Sequence, residues 1–185
     1  MHGEGVIHGD LKGVGLPERN SHCCILTRPF LKVNILIDEQ CHACLVDFGL
    51  VTIISDPEHP TTSISSPSAG TTRWMSPELL DQDHPDFRGG RRTKESDCYA
   101  LGMVIYEVLS GKVPFASYNN FIVPKVVIEG KRPERPSSTE VACFVDGLWT
   151  KVEQCWSDRS MDRPTAETLL ECIEGFGSSV ATTSC

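Results

Sequence analysis

The feature that most constrains this chain is one strongly periodic apolar segment between positions 96 and 109. Its apolar side chains recur at the three- to four-residue spacing of one helix face, at Leu101, Val104, Ile105, Val108 and Leu109. Ser96 can cap the start of this helix, and Gly111 stands just beyond its end as a stop signal. The pattern predicts a helix over 96–109 that forms the core of the domain.

Weaker patterns predict the other elements. Two short apolar runs, 33–38 and 43–48, flank a polar turn and predict a small β-hairpin. Residues 54–70 are rich in Ser, Thr and Pro, which is typical of a loop. Further helices are predicted at about 120–129, 140–157 and 164–176. The fold class predicted from these patterns is mainly α with one small β-hairpin.

The last predicted helix has two features that can be checked. Pro164 suits its first turn, and its apolar face is predicted to hold Leu169, Leu170 and Ile173. After position 176 the sequence is rich in Ser, Thr and Gly, so residues 177–185 are expected to form a flexible tail.

Composition narrows the class of protein. The chain has 185 residues, enough for one domain of ordinary size. Its net charge of -8 gives no basic footprint for nucleic acid, so no nucleic-acid partner is expected. No apolar run approaches the length of about eighteen residues that marks a membrane-spanning helix, so no membrane partner is expected. No export signal is visible, and a cytoplasmic location is the default expectation.

The nine cysteines do not predict a disulfide framework, because their number is odd and their spacing irregular. Cys41 and Cys44 form the single pair at metal or redox spacing, with His42 between them. A zinc or redox site at this pair is kept as an alternative to ordinary thiols in a reducing compartment.

Three oxygen-bearing side chains follow one another in an order with chemical meaning. Asp10 lies in the segment His8-Gly9-Asp10-Leu11-Lys12, Asn34 is the second residue of the first apolar run, and Asp47 precedes Phe48 and Gly49. Phosphoryl transfer needs a carboxylate near the attacking hydroxyl, and oxygen ligands that hold Mg²⁺ against the phosphates. Asp and Asn supply the hard oxygen ligands that Mg²⁺ prefers.

With these residues the sequence resembles the protein kinase family, and the resemblance continues in order along the chain. The segment 70–78 resembles the end of an activation segment, with Ser76 where Ala is more usual, and 97–102 resembles the start of the central helix. The segments 111–115 and 155–165 are similar to the family's following motifs. Together these co-linear motifs make the resemblance specific.

The resemblance implies a role for each matching residue. Asp10 would be the catalytic carboxylate, Lys12 would contact the transferred phosphate, and Asn34 and Asp47 would bind Mg²⁺. ATP would be held with the help of Asn34, Asp47 and Gly49, and the other substrate would be a protein. The remaining matches would have structural roles. Glu78 and Arg163 would form a buried ion pair, Asp97 would brace the backbone near His8, and His8 would pack beneath the ring of Phe48.

Two details indicate the subgroup. Lys12, together with Gly70 and Thr71, is similar to serine/threonine kinases rather than tyrosine kinases. The motif around Trp156 and Arg163 is similar to the tyrosine-kinase-like branch of that group.

The sequence departs from the family within the catalytic loop. Gly9 stands where most members have an Arg that pairs with a phosphorylated activation segment, so phosphorylation of that segment is not expected to be the main switch. Deleting residues 14–32 would restore the family's spacing between the catalytic Asp and the Asn. This segment is either a retained intron translated in frame or a genuine surface insertion.

The small, ATP-binding lobe of the family has no counterpart in the sequence. No Gly-rich phosphate loop followed by a strand Lys is present. The expected domain is therefore a kinase C-terminal lobe over 1–176 without the N-terminal β-lobe, which the intact parent would supply. As it stands, such a chain is expected to be a truncated serine/threonine kinase with little activity. The alternative is a non-catalytic kinase-like binding module, or pseudokinase.

One basic run lies outside these motifs, at Arg88, Arg91, Arg92 and Lys94. We expect it to form a solvated loop, with a docking patch as the alternative.

Overall fold

The fold is known from a computed structural model that describes residues 1–13, 34–37, 43–47, 52–53, 71–136 and 146–181. The strands are β1 (Val6–Ile7), β2 (Ile35–Ile37), β3 (Ala43–Leu45) and β4 (Thr52–Ile53). The helices are α1 (Pro77–Leu80), α2 (Lys94–Ser110), α3 (Val123–Ile128), α4 (Asp146–Cys155) and α5 (Ala166–Ala181). Single 3-10 turns cover His2–Glu4, Thr72–Trp74 and Ser160–Asp162. The prediction of a mainly helical domain is confirmed.

Helix α2 is the central element, as its apolar periodicity predicts. Tyr99 and Met103 are fully buried within it, and helix α4 packs along it. Because neighbours surround α2 on most sides, its buried residues extend beyond the predicted stripe, while Val108 is 61% exposed. The prediction that Val108 belongs to the buried face is therefore wrong. Gly111 ends the helix in the left-handed conformation, at φ 70°.

The N-terminus of α2 is capped three residues earlier than the sequence suggested. The Thr93 side chain accepts a hydrogen bond from the Ser96 amide, and the Ser96 side chain accepts one from the Thr93 amide. This reciprocal pair is a capping box, which satisfies two amide groups at the start of the helix. Ser96 thus lies inside the helix rather than at its cap, and the helix begins at Lys94.

Two edge-on contacts among three aromatic rings join α2 to helix α4. Trp156, directly after α4, lies edge-on to Tyr106 of α2, with ring centroids 6.0 Å apart. It also lies edge-on to Trp149 of α4, at 5.7 Å. Gly102 lets the two elements approach, because a Cβ atom there would lie 2.6 Å from Cβ of Cys155.

The later helices keep their predicted order but differ at their ends. Helix α3 begins at Val123 because the Asn119 side chain binds the backbone amides of the two residues before it. Helix α4 ends at Cys155, two residues before the predicted end, and residues 140–145 of the predicted helix lie outside the described part of the chain.

Helix α5 starts later and ends later than predicted. The Thr165 side chain accepts from the Thr168 amide, so Pro164 precedes the helix rather than occupying its first turn. The helix continues to Ala181, beyond the predicted end at 176. Leu169 is buried, whereas Leu170 and Ile173 are 56% and 43% exposed, so the three do not share one buried face.

The strands form two small antiparallel ladders rather than the single predicted hairpin. The predicted hairpin is present as β2 and β3, with Ile35 opposite Leu45. The second ladder pairs β1 with β4, with Ile7 opposite Thr52. Because β1 leads directly into residue 8, this ladder helps to place the loop that carries the candidate catalytic residues.

The described residues contain no helix that is long and apolar enough to cross a membrane.

Candidate active site

The loop that follows β1 is attached to the start of α2 through one buried carboxylate. Oδ2 of Asp97 accepts from the His8 amide and Oδ1 accepts from the Gly9 amide, each at 2.8 Å. His2 adds a ring nitrogen 3.1 Å from Oδ2 of Asp97. Asp97 is 2% exposed, so these charge-assisted bonds compensate for the burial of its charge. The structure thus places Asp97 where it braces the backbone at His8.

Three of the predicted site residues lie together on this loop and at the start of β2. Nζ of Lys12 lies 2.6 Å from Oδ2 of Asp10. Nδ2 of Asn34 donates to the same oxygen at 3.0 Å and also to the backbone carbonyl of Asp10. Asn34 is 1% exposed, and the side chains of the Lys12–Asp10 pair are 12% and 11% exposed. A largely sheltered carboxylate is therefore held between a cation and an amide.

The β2–β3 hairpin brings Asp47 to the same end of the structure. The Val46 amide donates to the Asn34 carbonyl at 2.9 Å, which extends the hairpin pairing by one residue beyond Ile35 and Leu45. Asp47 follows at once, exposed and with φ 63°. A left-handed conformation is uncommon for Asp, and such strain is typical of functional sites.

The donor set at this end of the hairpin fits a magnesium ion. Asn34 uses its amide nitrogen on Asp10, so its Oδ1 remains as a possible ligand, and the Asp47 carboxylate is open to solvent. Carboxylate and amide oxygens are the protein ligands that Mg²⁺ takes, and it usually keeps several water molecules as well.

His8 is fully buried and joins the loop to the hairpin. Its Nε2 lies 3.0 Å from the Val46 carbonyl, and its Nδ1 accepts from the Asp10 amide at 3.3 Å. The neutral ring with its proton on Nε2 satisfies both contacts. The predicted partner of His8, Phe48, lies outside the described residues, as does Gly49.

The predicted ion pair is present in the core. Arg163 donates to both carboxylate oxygens of Glu78, each at 2.7 Å, and the Ser76 hydroxyl donates to Oε1 at 2.8 Å. Burial alone would raise the pKa of Glu78, but hydrogen bonds and the charge of Arg163 lower it overall. This bidentate pair connects the segment before α1 with the segment before α5.

A buried acid that no sequence motif marks lies beneath the loop. Glu107 on α2 is 1% exposed, and its Oε2 accepts from Nε1 of Trp74 at 3.1 Å. Gly13 passes so close to this carboxyl that an added Cβ atom would lie 2.1 Å from Oε2. Burial raises the pKa of Glu107 to about 8, although the Trp74 hydrogen bond acts in the opposite direction.

Arg73 is a second residue that sequence reasoning missed. Its guanidinium donates to the carbonyls of Pro114, Phe115 and Tyr118 at 2.6–2.7 Å, and to the Asn120 side chain at 2.8 Å. Phe115 itself has a left-handed backbone, with φ 56°. These four bonds fasten the 71–76 segment to the loop after α2.

The basic run before α2 is not a uniformly solvated loop. Arg88 and Arg91 are exposed, as expected, but Arg92 is buried and donates through Nε to the Gly9 carbonyl. The prediction for Arg92 is therefore wrong, because this side chain folds back against the loop.

The cysteines behave as ordinary thiols where they are described. Burial raises the pKa of Cys98 and of Cys155 to about 12 each, so both thiols stay protonated at neutral pH. Cys44 is an exposed free thiol, while Cys41 and His42 lie outside the described residues. Within the described ranges, no group of three or more His, Cys, Asp or Glu side chains could hold a metal ion.

Comparison with known proteins identifies the family. The sequence model described as protein tyrosine and serine/threonine kinase matches residues 24–173, which is most of the chain. The chain therefore belongs to the protein kinase family, as its motifs indicated. The matched span contains Asn34 and Asp47 but begins after Asp10 and Lys12.

Individual relatives agree with this assignment. The chain is 32% identical over 145 residues to receptor-interacting serine/threonine-protein kinase 3 of Rattus norvegicus, a match that covers 76% of the chain and 29% of that protein. It is 31% identical over 185 residues to a light-sensor protein kinase of Ceratodon purpureus, and this match covers 94% of the chain and 13% of that protein. A probable LIM domain-containing serine/threonine-protein kinase of Dictyostelium discoideum is 27% identical over 181 residues, and this match covers 97% of the chain and 15% of that protein. The chain thus spans less than a third of each relative's length.

Proposed function

We propose that this chain supplies the large, C-terminal lobe of a serine/threonine protein kinase of the tyrosine-kinase-like branch. The observation that carries the proposal is the cluster of Asp10, Lys12 and Asn34, in which one sheltered carboxylate is held by a cation and an amide. Two of the three relatives described above are named serine/threonine kinases, which supports the same substrate class.

The proposed reaction transfers the γ-phosphoryl group of ATP to a Ser or Thr hydroxyl of a protein. The hydroxyl oxygen forms a bond to the γ-phosphorus, the bond from that phosphorus to the β–γ bridging oxygen breaks, and ADP leaves. Asp10 accepts the hydroxyl proton and orients the attacking oxygen. Lys12, 2.6 Å from Asp10, places a positive charge where the transferred phosphate carries negative charge.

The metal would be held next to these groups. Oδ1 of Asn34 and the carboxylate of Asp47 are the proposed ligands, together with phosphate oxygens of the nucleotide. When bound, Mg²⁺ neutralises phosphate charge. The chain's own contribution is to fix Asn34 through its two bonds to Asp10, so that metal ligand and proton acceptor keep a constant spacing.

The nucleotide site is shared with a second lobe in this proposal. In it Asp10 serves as the proton acceptor and Asn34 and Asp47 as the metal ligands, while the sequence contains no Gly-rich loop with a strand Lys to cover the phosphates. We therefore expect little phosphoryl transfer by this chain alone, and transfer by a longer protein in which the small lobe precedes it.

The test is transfer of ³²P from γ-labelled Mg·ATP to a Ser/Thr peptide library by the full-length protein that carries this chain. Transfer that Asp10→Asn abolishes, and that the exposed control Asp83→Asn leaves unchanged, supports the proposal. Equal transfer by wild type and Asp10→Asn contradicts the role of Asp10. No transfer, with thermal stabilisation by Mg·ATP or without it, contradicts the kinase proposal and favours the non-catalytic binding module.

A further inference from the structure

Arg92 is buried beside the candidate catalytic loop, although it lies within a run of basic residues. It is 8% exposed, whereas its neighbour Arg91 is exposed. Burying a guanidinium costs free energy unless the charge finds partners. The groups that Arg92 contacts therefore indicate the structural role of this buried side chain.

Its hydrogen-bond partner is the backbone of the loop. Nε of Arg92 donates to the Gly9 carbonyl, which lies 83 residues earlier in the sequence. Two carboxylates also act on its charge. Burial lowers the pKa of Arg92, and the nearby charges of Asp10 and Asp97 oppose that shift. Arg92 thus lies near both the proposed proton acceptor and the brace of the loop.

Gly9 is consequently held at both of its polar backbone groups. Asp97 accepts from its amide at 2.8 Å, and Arg92 donates to its carbonyl. Gly9 has φ 79°, a left-handed conformation that glycine adopts without a steric penalty. The carbonyl of Gly9 belongs to the planar peptide unit that ends at the nitrogen of Asp10. Fixing the orientation of this peptide plane therefore fixes the direction of the bond from the nitrogen to the Cα atom of Asp10.

Both side chains that hold Gly9 come from one rigid element. Arg92 directly precedes Thr93, the N-cap of α2, and Asp97 lies in the first turn of that helix. The capping box between Thr93 and Ser96 fixes the backbone between them. The central helix thus holds the loop from two sides with groups of opposite charge.

We propose that Arg92 is a positioning residue that orients the Gly9–Asp10 peptide, and so keeps the Asp10 carboxylate against Lys12 and Asn34. Its meaning for catalysis rests on the proposed kinase function. Its effect on geometry does not, and can be measured without nucleotide.

The experiment is nuclear magnetic resonance of the ¹⁵N-labelled chain, with the side-chain amide of Asn34 as the reporter. This amide donates to two oxygens of Asp10, so its resonances depend on where Asp10 lies. We expect Arg92→Gln to shift them and to accelerate hydrogen exchange of the His8 and Gly9 amides about tenfold. Arg92→Lys is expected to restore the wild-type resonances in part, because an ammonium group can still donate to the Gly9 carbonyl.

Two controls separate positioning from general stabilisation. Arg91→Gln removes a neighbouring exposed charge and is expected to change neither readout. Val152→Ala destabilises the buried side of α4, and it is expected to lower the melting temperature without shifting the Asn34 amide.

The proposal is overturned if Arg92→Gln leaves the Asn34 resonances in place, or if Val152→Ala shifts them equally. If Arg92→Gln does not fold, Arg92→Lys decides: Asn34 resonances that move part of the way from their wild-type positions, while those of Val152→Ala stay in place, support the proposal, and resonances that stay at their wild-type positions in Arg92→Lys contradict it. A shifted Asn34 amide in a protein that transfers no phosphate would support the role of Arg92 and contradict only the kinase function.

Discussion

Glu107 makes the stability of this fold depend on pH in an unusual direction. Its carboxyl is buried, on the last turn of α2; Oε2 accepts one hydrogen bond from Trp74, and Oε1 has no partner among the described residues. Its pKa rises from an ordinary value of 4.5 to about 8. The folded state therefore keeps this proton up to about pH 8, while the unfolded chain releases it above its ordinary pKa.

The sign and size of the effect follow from proton linkage. Between the two pKa values the folded state binds more protons than the unfolded chain. The contribution of Glu107 to stability is therefore fully present below the pKa of the unfolded state, and it is lost as pH rises through the pKa of the folded state. If the whole shift is realised, Glu107 removes about 3 kcal/mol of stability between about pH 5.5 and pH 8.

The substitution that isolates this effect is Glu107→Gln. Glutamine is neutral at every pH and keeps a carbonyl oxygen for the indole of Trp74. We expect the variant to gain about 3 kcal/mol relative to wild type over that pH range, measured by guanidinium unfolding with tryptophan fluorescence. Glu129→Gln, at a side chain 45% exposed, is the matched control and should follow the wild-type profile. Parallel pH profiles of stability for wild type and Glu107→Gln would show that the pKa of Glu107 is not raised by folding.

Substitutions at two further places test the packing around α2. Removing one partner of the buried pair, by Glu78→Gln or Arg163→Ala, is expected to cost about 3–5 kcal/mol in urea unfolding at neutral pH. Because the pKa of Glu78 is lowered, this contribution is present above its unfolded pKa and is lost as pH falls through the folded one, so a penalty unchanged in acid would contradict the assignment. Gly102→Ala places a Cβ atom 2.6 Å from Cβ of Cys155 and should cost about 1–3 kcal/mol in the same assay; an unchanged midpoint would show that α2 and α4 can separate freely.

The parts of the fold that the sequence predicts are those with a periodic signal. The apolar spacing along 96–109 identifies α2, and Gly111 marks its end, because each of these signals acts locally. The cap was misplaced since Thr93 and Ser96 are both good capping residues, and a sequence does not say which of the two lies outside the helix. Strands of two residues, such as β1 and β4, are too short to produce any periodicity.

The candidate active site likewise contains some residues that the sequence predicts and others that it does not. Asp10, Asn34 and Asp47 could be selected because each stands in a recognisable motif, and the structure brings Asp10 and Asn34 into contact. Arg92 and Glu107 could not be selected, since buried charged residues look like surface residues until their distant partners are known. Their partners, the Gly9 carbonyl and the Trp74 indole, meet them through tertiary packing alone.

Asn34 and Asp47 are proposed to form a metal site beside Asp10, and the binding of Mn²⁺ to this chain is the measurement that tests this site. Asp47→Asn is the sharpest variant, because Asn tolerates the left-handed backbone at φ 63° while removing the charge. Electron paramagnetic resonance titration should show Mn²⁺ binding that Asp47→Asn weakens about tenfold or more and that the exposed control Asp83→Asn leaves unchanged. Equal Mn²⁺ affinity in wild type and Asp47→Asn, or no binding to either, would contradict the proposed metal site.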